Sequence, residues 1–216
     1  MMLEFKNVRG INSGFNLQDI SFGLEEGFIL GIVGKNGAGK TTLLRYITDP
    51  DIKYTGEILY RGKNIKNIGP GLFNFVSVIS DDNKLFESIT ARRNAECLSV
   101  FYSDWNQELF LEAAEKIGVP MNVNVGRMSR GEKLKLQMAL AMAHNTKLYL
   151  MDEATSGMDP VFRKEFYHML HEMLLSDDIS VIMTNHNMEE IEIHMDYLAR
   201  IQEGRLVEYG EVQQVE

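Results

Sequence analysis

Gly34-Lys35-Asn36-Gly37-Ala38-Gly39-Lys40-Thr41 has the spacing G-x-x-x-x-G-K-[ST], and each residue type in that pattern has a chemical task. Glycines let a backbone curl close around an anion, so that consecutive N–H groups and a following helix start face a phosphate. Lys40 adds a point charge suited to the β- and γ-phosphates of a nucleoside triphosphate. The Thr41 hydroxyl, with Thr42 beside it, suits one position on a magnesium ion that otherwise keeps much of its water. A second group closes the apolar run Leu148-Tyr149-Leu150-Met151 with two carboxylates, Asp152 and Glu153. Asp152 is the expected magnesium ligand, directly or through water. Glu153, one residue on, is placed to take a proton from an attacking water, a role worth about 10²–10⁴-fold in rate. A plain Gly-rich turn and an acidic strand end are the bland alternatives, and their joint occurrence argues against both.

These groups need elements to aim them. Phe28 to Val33 is a nearly continuous apolar run suited to a buried strand, and it feeds the Gly-rich turn and then a helical segment from Thr41 to Tyr46. Leu3 to Phe5, Ser21 to Leu24, Gly56 to Tyr60, Phe75 to Ile79, Lys147 to Met151 and Val181 to Met183 read as further strands. Tyr197 to Tyr209 reads as a hairpin turning at Glu203-Gly204. Residues 91 to 144 have helical texture, and Phe162, Phe166, Met169, Leu170, Met173 and Leu174 share one face of a helix over 160–175. Alternating strands and helices predict a parallel α/β core. In such a sheet ligands bind beyond the carboxyl ends of the strands, which brings Asp152 to the phosphates.

Composition bounds the function. The chain has 216 residues, 44% hydrophobic and 25% charged, with 4 Pro, as in an ordinary globular protein. No apolar stretch approaches the ~18 residues of a bilayer span. An acidic residue lies where a signal peptide needs basic ones, so the expected location is cytoplasmic. The lone Cys97 excludes an intramolecular disulfide and a zinc ribbon and reads as a small core residue. Formal charge is -9, with 4 basic and 15 acidic side chains in residues 152–216. That surplus argues against a nucleic-acid footprint. His168 and His171 lack a carboxylate pattern specifying a metal and read as solvated polar face.

Between the two phosphate motifs lies Met128-Ser129-Arg130-Gly131-Glu132-Lys133. Here the chain resembles the ATP-binding cassette (ABC) family, whose signature usually reads Leu-Ser-Gly-Gly-Gln. Ser129 and Gly131 match it, while Met128, Arg130 and Glu132 depart. Ser129 and Glu132 also spell a capping box, and both roles are compatible. Ala154-Thr155-Ser156-Gly157-Met158-Asp159-Pro160 looks like the family's D-loop, with Asp159 as its aspartate. Thr184-Asn185-His186 looks like the switch-histidine segment. Aligning Val76 to Ser80 with the strand before the Q-loop puts Asp81 where the family has glutamine. Asp81 is then a candidate magnesium ligand whose extra charge and shorter reach alter coupling. Phe15 is the nearest adenine-stacking candidate, with a core role as the alternative. Tyr102 and Trp105 belong either to the helical core or to a partner contact. The signature variant and the segment from Phe101 to Trp105 look most like bacterial exporter cassettes.

The resemblance implies a P-loop NTPase with a RecA-like core, an N-terminal antiparallel β-subdomain and an inserted α-helical subdomain. The expected single ABC ATPase domain spans 1–216, with 1–84 and 145–216 as core and β-subdomain and 85–144 as the insertion. It further implies an ATPase using ATP and Mg²⁺, in which two identical or related copies close head to tail. Lys40, Thr41, Asp152, Glu153 and His186 would come from one copy, and Ser129, Gly131 and Asp159 from the other. A separate transmembrane permease would be driven through the groove beside the Q-loop, with the cassette peripheral to the inner membrane face. Two alternatives share the motifs: a soluble non-transport ABC ATPase, and an ATP-binding regulatory module with little turnover.

Overall fold

The structure is a computed structural model and describes residues 1–11, 16–82, 85–176 and 178–212. The first strands, β1 (Leu3–Gly10), β2 (Ile20–Leu24), β4 (Tyr54–Tyr60) and the two-residue β5 (Lys63–Asn64), form an antiparallel sheet in the order β2-β1-β4-β5. A six-stranded sheet carries the rest: β3 (Ile29–Val33), β6 (Val76–Ser80), β7 (Leu148–Asp152), β8 (Ser180–Asn185), β9 (Tyr197–Gln202) and β10 (Arg205–Glu211). Its order is β10-β9-β3-β8-β7-β6, parallel except for the β9–β10 hairpin. That hairpin turns at Glu203 and Gly204, both at positive φ, as a two-residue loop of matching twist requires.

Alternation along the parallel strands divides their side chains between two cores. Leu30, Ile32, Leu148, Leu150 and Ile182 face α1 (Lys40–Thr48) and the antiparallel sheet, packing with Leu43, Leu44 and Ile47. Ile29, Val33, Tyr149, Met151, Val181 and Met183 face the other way, onto α6 (Pro160–Ser176). Both faces are covered, which is why these strands read as continuous apolar runs. A third cluster joins α3 (Ala91–Ser99), α4 (Gln107–Lys116) and α5 (Arg130–Met142) around Phe110, Leu136 and Ala139.

Register positions the site. Val33 pairs with Asn185, Thr184 with Asp152, and Asp152 with Ser80. The carboxyl ends of β3, β8, β7 and β6 therefore lie level, and the segments after them emerge side by side.

Several expectations are corrected. Cys97 is exposed on α3 rather than buried, because that helix turns Ala91, Asn94 and Ala95 inward. Tyr102 stacks on His144 with ring centres 4.0 Å apart and Trp105 packs on Phe110 at 5.6 Å, the core alternative for this pair. The short helices α2 (Ile65–Ile68) and α7 (Met188–His194) were not expected. Phe15 lies outside the described residues.

Candidate active site

The phosphate loop leaves β3 at Gly34 and enters α1 at Lys40. Gly37 and Gly39 have φ of 80° and 111°, conformations that strain any other residue. Gly34 is needed for space: a β-carbon there would lie 2.4 Å from the Ile201 carbonyl oxygen of β9. Lys40 is only 5% exposed. Its ammonium donates to the Gly34 carbonyl at 2.9 Å and lies 3.6 Å from the Glu153 carboxylate. A buried cation needs such partners, and carbonyl oxygens are partners that an incoming phosphate can replace.

At the end of β7 the Thr184 hydroxyl serves both acidic residues. It donates to Asp152 Oδ1 at 2.6 Å and accepts the Glu153 N–H at 2.8 Å. Glu153 has φ of 49°, a left-handed conformation costing a non-glycine residue about 1–3 kcal/mol and held only where its surroundings over-determine it. Its carbonyl accepts from Arg130 Nη2 at 3.3 Å. Lys40, Thr41, Asp152, Glu153, Asp81 and Arg130 line one cavity of about 600 Å³ with Asn36, Gly37, Gly39 and Thr42. Asp81 meets the Arg130 guanidinium at 2.6 and 2.8 Å.

His186 is exposed at the end of β8 and lines a neighbouring cavity of about 1210 Å³ that shares Asn36 and Gly37 and also takes in Gly34, Lys35 and Ala38. The structure brings it to the phosphate loop without bringing it into the Asp152 cavity. Beneath it Glu190 accepts from Asn185 at 2.7 Å, Tyr167 at 2.9 Å, Asn187 at 3.2 Å and Thr155 at 3.3 Å, and pairs with Arg163. Burial pushes the Glu190 carboxyl up, but the donors Asn185, Tyr167 and Asn187 and the Arg163 charge outweigh it and hold the group below its ordinary range.

Ser129, Gly131 and Asp159 do not line either cavity among the described residues. Ser129 caps α5 in a full capping box with Glu132. Asp159 Oδ1 accepts the N–H groups of Val161 and Phe162 at the start of α6. Gly131 lies against the Phe162 ring, 3.3 Å from where its β-carbon would be. Thr184, Arg130 and Glu190 were missed as site residues. Arg130 carried a signal, a charged residue where the resembling motif has glycine. Thr184 and Glu190 carried none without the register.

Among the described residues no group of three or more His, Cys, Asp or Glu side chains is gathered for a metal. A magnesium ion takes one or two protein ligands and completes its shell with phosphate oxygens and water. The buried Lys40, the carboxylate end of β7 and the left-handed loop glycines fit a magnesium-bound triphosphate.

The sequence model of the ABC transporter family matches residues 17–156. The ABC transporter ATP-binding protein YhcH of Bacillus subtilis is 27% identical over 98% of this chain and 70% of its own length. The methionine import ATP-binding protein MetN of Corynebacterium efficiens is 32% identical over 92% of this chain, which spans 58% of that protein. Among solved structures, cbiO1 from Clostridium perfringens, part of the ABC transporter complex cbiONQ, superposes with a TM-score of 0.82 at 22% identity. The match covers 97% of this chain and 88% of that one, and establishes the fold. A family match over well over half of the chain, with a relative 32% identical over most of it, fixes the kinship: this chain belongs to the ABC transporter family, as one of its ATP-binding, ATP-hydrolysing subunits.

Proposed function

We propose that the chain binds Mg-ATP across the phosphate loop and couples its hydrolysis to a separate membrane permease, working as a head-to-tail pair of identical or related cassettes. The observation that carries this is the buried Lys40 ammonium, resting on a loop carbonyl beside Glu153 in the cavity that Asp152 also lines. Gly34 to Thr42 cradle the phosphates, with Lys40 exchanging its carbonyl partners for phosphate oxygens. Thr41 and Asp152 hold the metal, while the Asp81 carboxylate is taken up by the Arg130 guanidinium. Magnesium, when bound, supplies Lewis-acid charge at the phosphate oxygens. Glu153 takes the proton of the attacking water, and His186 reaches the γ-phosphate from the other flank of the loop. Ser129, Gly131 and Asp159 of a second cassette complete the site, in keeping with none of the three lining the cavity of their own chain. Residues 85–144 form the inserted helical subdomain of a single ABC ATPase domain.

The first test is Glu153→Gln. Turnover should fall by about 10²–10⁴-fold while ATP still binds, and light scattering in ATP should register twice the 24.6 kDa chain. Turnover equal to the parent removes Glu153 as the base.

No helix among the described residues is long and apolar enough to cross a membrane; in this reading membrane contact comes through the permease, at the inner face of the cell membrane. Val100 and Phe101 are 78% and 75% exposed, with Phe86 and Phe73 also exposed. Ser103 donates to Asn74 Oδ1, which keeps the segment after α3 beside the one carrying Phe73. These exposed apolar side chains are the proposed permease face. A tagged chain drawn from detergent-solubilised membranes should bring a multi-span protein with it, and Phe101→Asp should reduce that recovery severalfold. Unchanged recovery moves the face elsewhere. The acidic surplus makes nucleic acid an unsuitable partner.

A further inference from the structure

Arg130 is the first residue of α5, at the edge of the helical layer, yet its side chain reaches back to the core of its own chain. Nε and Nη2 form a fork on the Asp81 carboxylate at 2.8 and 2.6 Å. Nη2 also donates to the Glu153 carbonyl at 3.3 Å, and Nη1 donates to the Ser156 carbonyl. The planar fork suits Arg for this work, since a lysine offers only a point charge. Two independent features support this seating. Gly157, at φ 70°, leaves open the position where a β-carbon would lie 3.1 Å from Arg130 Nη1. Two turns further along α5, Gln137 Oε1 accepts the Ser80 N–H at 3.0 Å, so α5 grips the segment carrying Asp81 at two points.

As an ion pair this contact contributes little to stability, because Arg130 is 37% and Asp81 61% exposed. Its effect lies in orientation. Glu153 holds a left-handed backbone with both of its peptide groups tied: its N–H to Thr184 from the sheet, its carbonyl to Arg130 from α5. With both ends fixed, the direction in which the Glu153 Cα–Cβ bond launches the side chain is fixed too. We propose that Arg130, itself held in place by Asp81, is a positioning residue for Glu153, so that alignment of the base depends on the seating of α5 against the core. Asp81 thereby acts through an arginine of its own chain. The inference rests on the assignment of Glu153 as the base.

The test compares the parent chain with Arg130→Ala, Arg130→Lys, Asp81→Ala and the double variant Asp81→Ala/Arg130→Ala. Arg130→Ala should lower kcat for ATP by about 10- to 100-fold, the size of effect that a misplaced catalytic group gives, with KM for ATP changed less than about threefold. Arg130→Lys should recover only part of that loss. The double variant should be no slower than Arg130→Ala alone, since Asp81 acts only through Arg130. Without nucleotide, hydrogen exchange at the Ser156 and Met158 amides, whose bonds to Glu153 and Thr155 close this turn, should quicken in Arg130→Ala while the rest of the sheet is unchanged. A parental kcat in Arg130→Ala alongside an inactive Glu153→Gln overturns the positioning role and leaves the base in place. An active Glu153→Gln removes the base and the inference with it. A raised magnesium requirement on adding Asp81→Ala to Arg130→Ala shows a metal ligand instead, and also overturns the proposal.

Discussion

The Thr184 hydroxyl joins a proposed metal ligand to the backbone of a proposed base, donating to Asp152 and accepting from Glu153. It is 1% exposed, so water offers no replacement for either bond. Thr184→Val keeps the shape and removes the hydroxyl. It should destabilise the chain by about 1–3 kcal/mol, the cost of leaving a buried polar group unpartnered, read from denaturant unfolding, and Thr184→Ser should restore most of the loss. At this scale the sequence was legible wherever chemistry is local. The loop glycines and Lys40 follow from spacing alone, because neighbours in sequence there are neighbours in space, whereas Asp152 and Glu153 follow from the apolar run they close and the parallel sheet it implies. Thr184 was not legible as a site residue, since its task exists only through the pairing of β7 with β8. Cys97 was misread because a lone small side chain carries no periodic information about which side of a helix it occupies.

Among the elements, the short helix α7 ties the end of β8 to α6 and to the turn after β7. Glu190 gathers Asn185, Asn187, Tyr167, Arg163 and Thr155, linking the segment that carries His186 to the one that follows Glu153. Because these donors and the Arg163 charge hold its carboxyl below the ordinary value of 4.5, the folded state favours the ionised form. The resulting stability is fully present above the unfolded pKa and is lost as pH falls through the folded one. Glu190→Gln should therefore melt below the parent at neutral pH, and the difference should shrink as the solution is acidified below pH 4.5. A gap independent of pH contradicts the assignment. The helix itself was hidden in the sequence: among the described residues only Ile191, with Met195 just beyond it, is fully buried along this stretch, too few positions to declare a period. The 17-residue α6 was readable because four turns repeat its apolar face.

For the molecule as a whole, the strand runs announced a parallel sheet, since burial on both faces leaves no polar alternation. Their order did not follow, because β3 sits between β9 and β8, partners far from it in sequence and chosen by packing. The same sheet divides the motifs. Those on β3 and β7 meet in one cavity, whereas Ser129 and Asp159 cap helices and do not line it among the described residues; in the proposed head-to-tail pair a second molecule supplies them. The solitary thiol then acquires a practical use. Cys97 is the chain's one cysteine and it faces solvent on α3, so a nitroxide attached there needs no engineered background. In a pair of identical cassettes the two labels form an intrinsic ruler, and dipolar spectroscopy before and after nucleotide addition would follow the approach and separation of the helical layers directly.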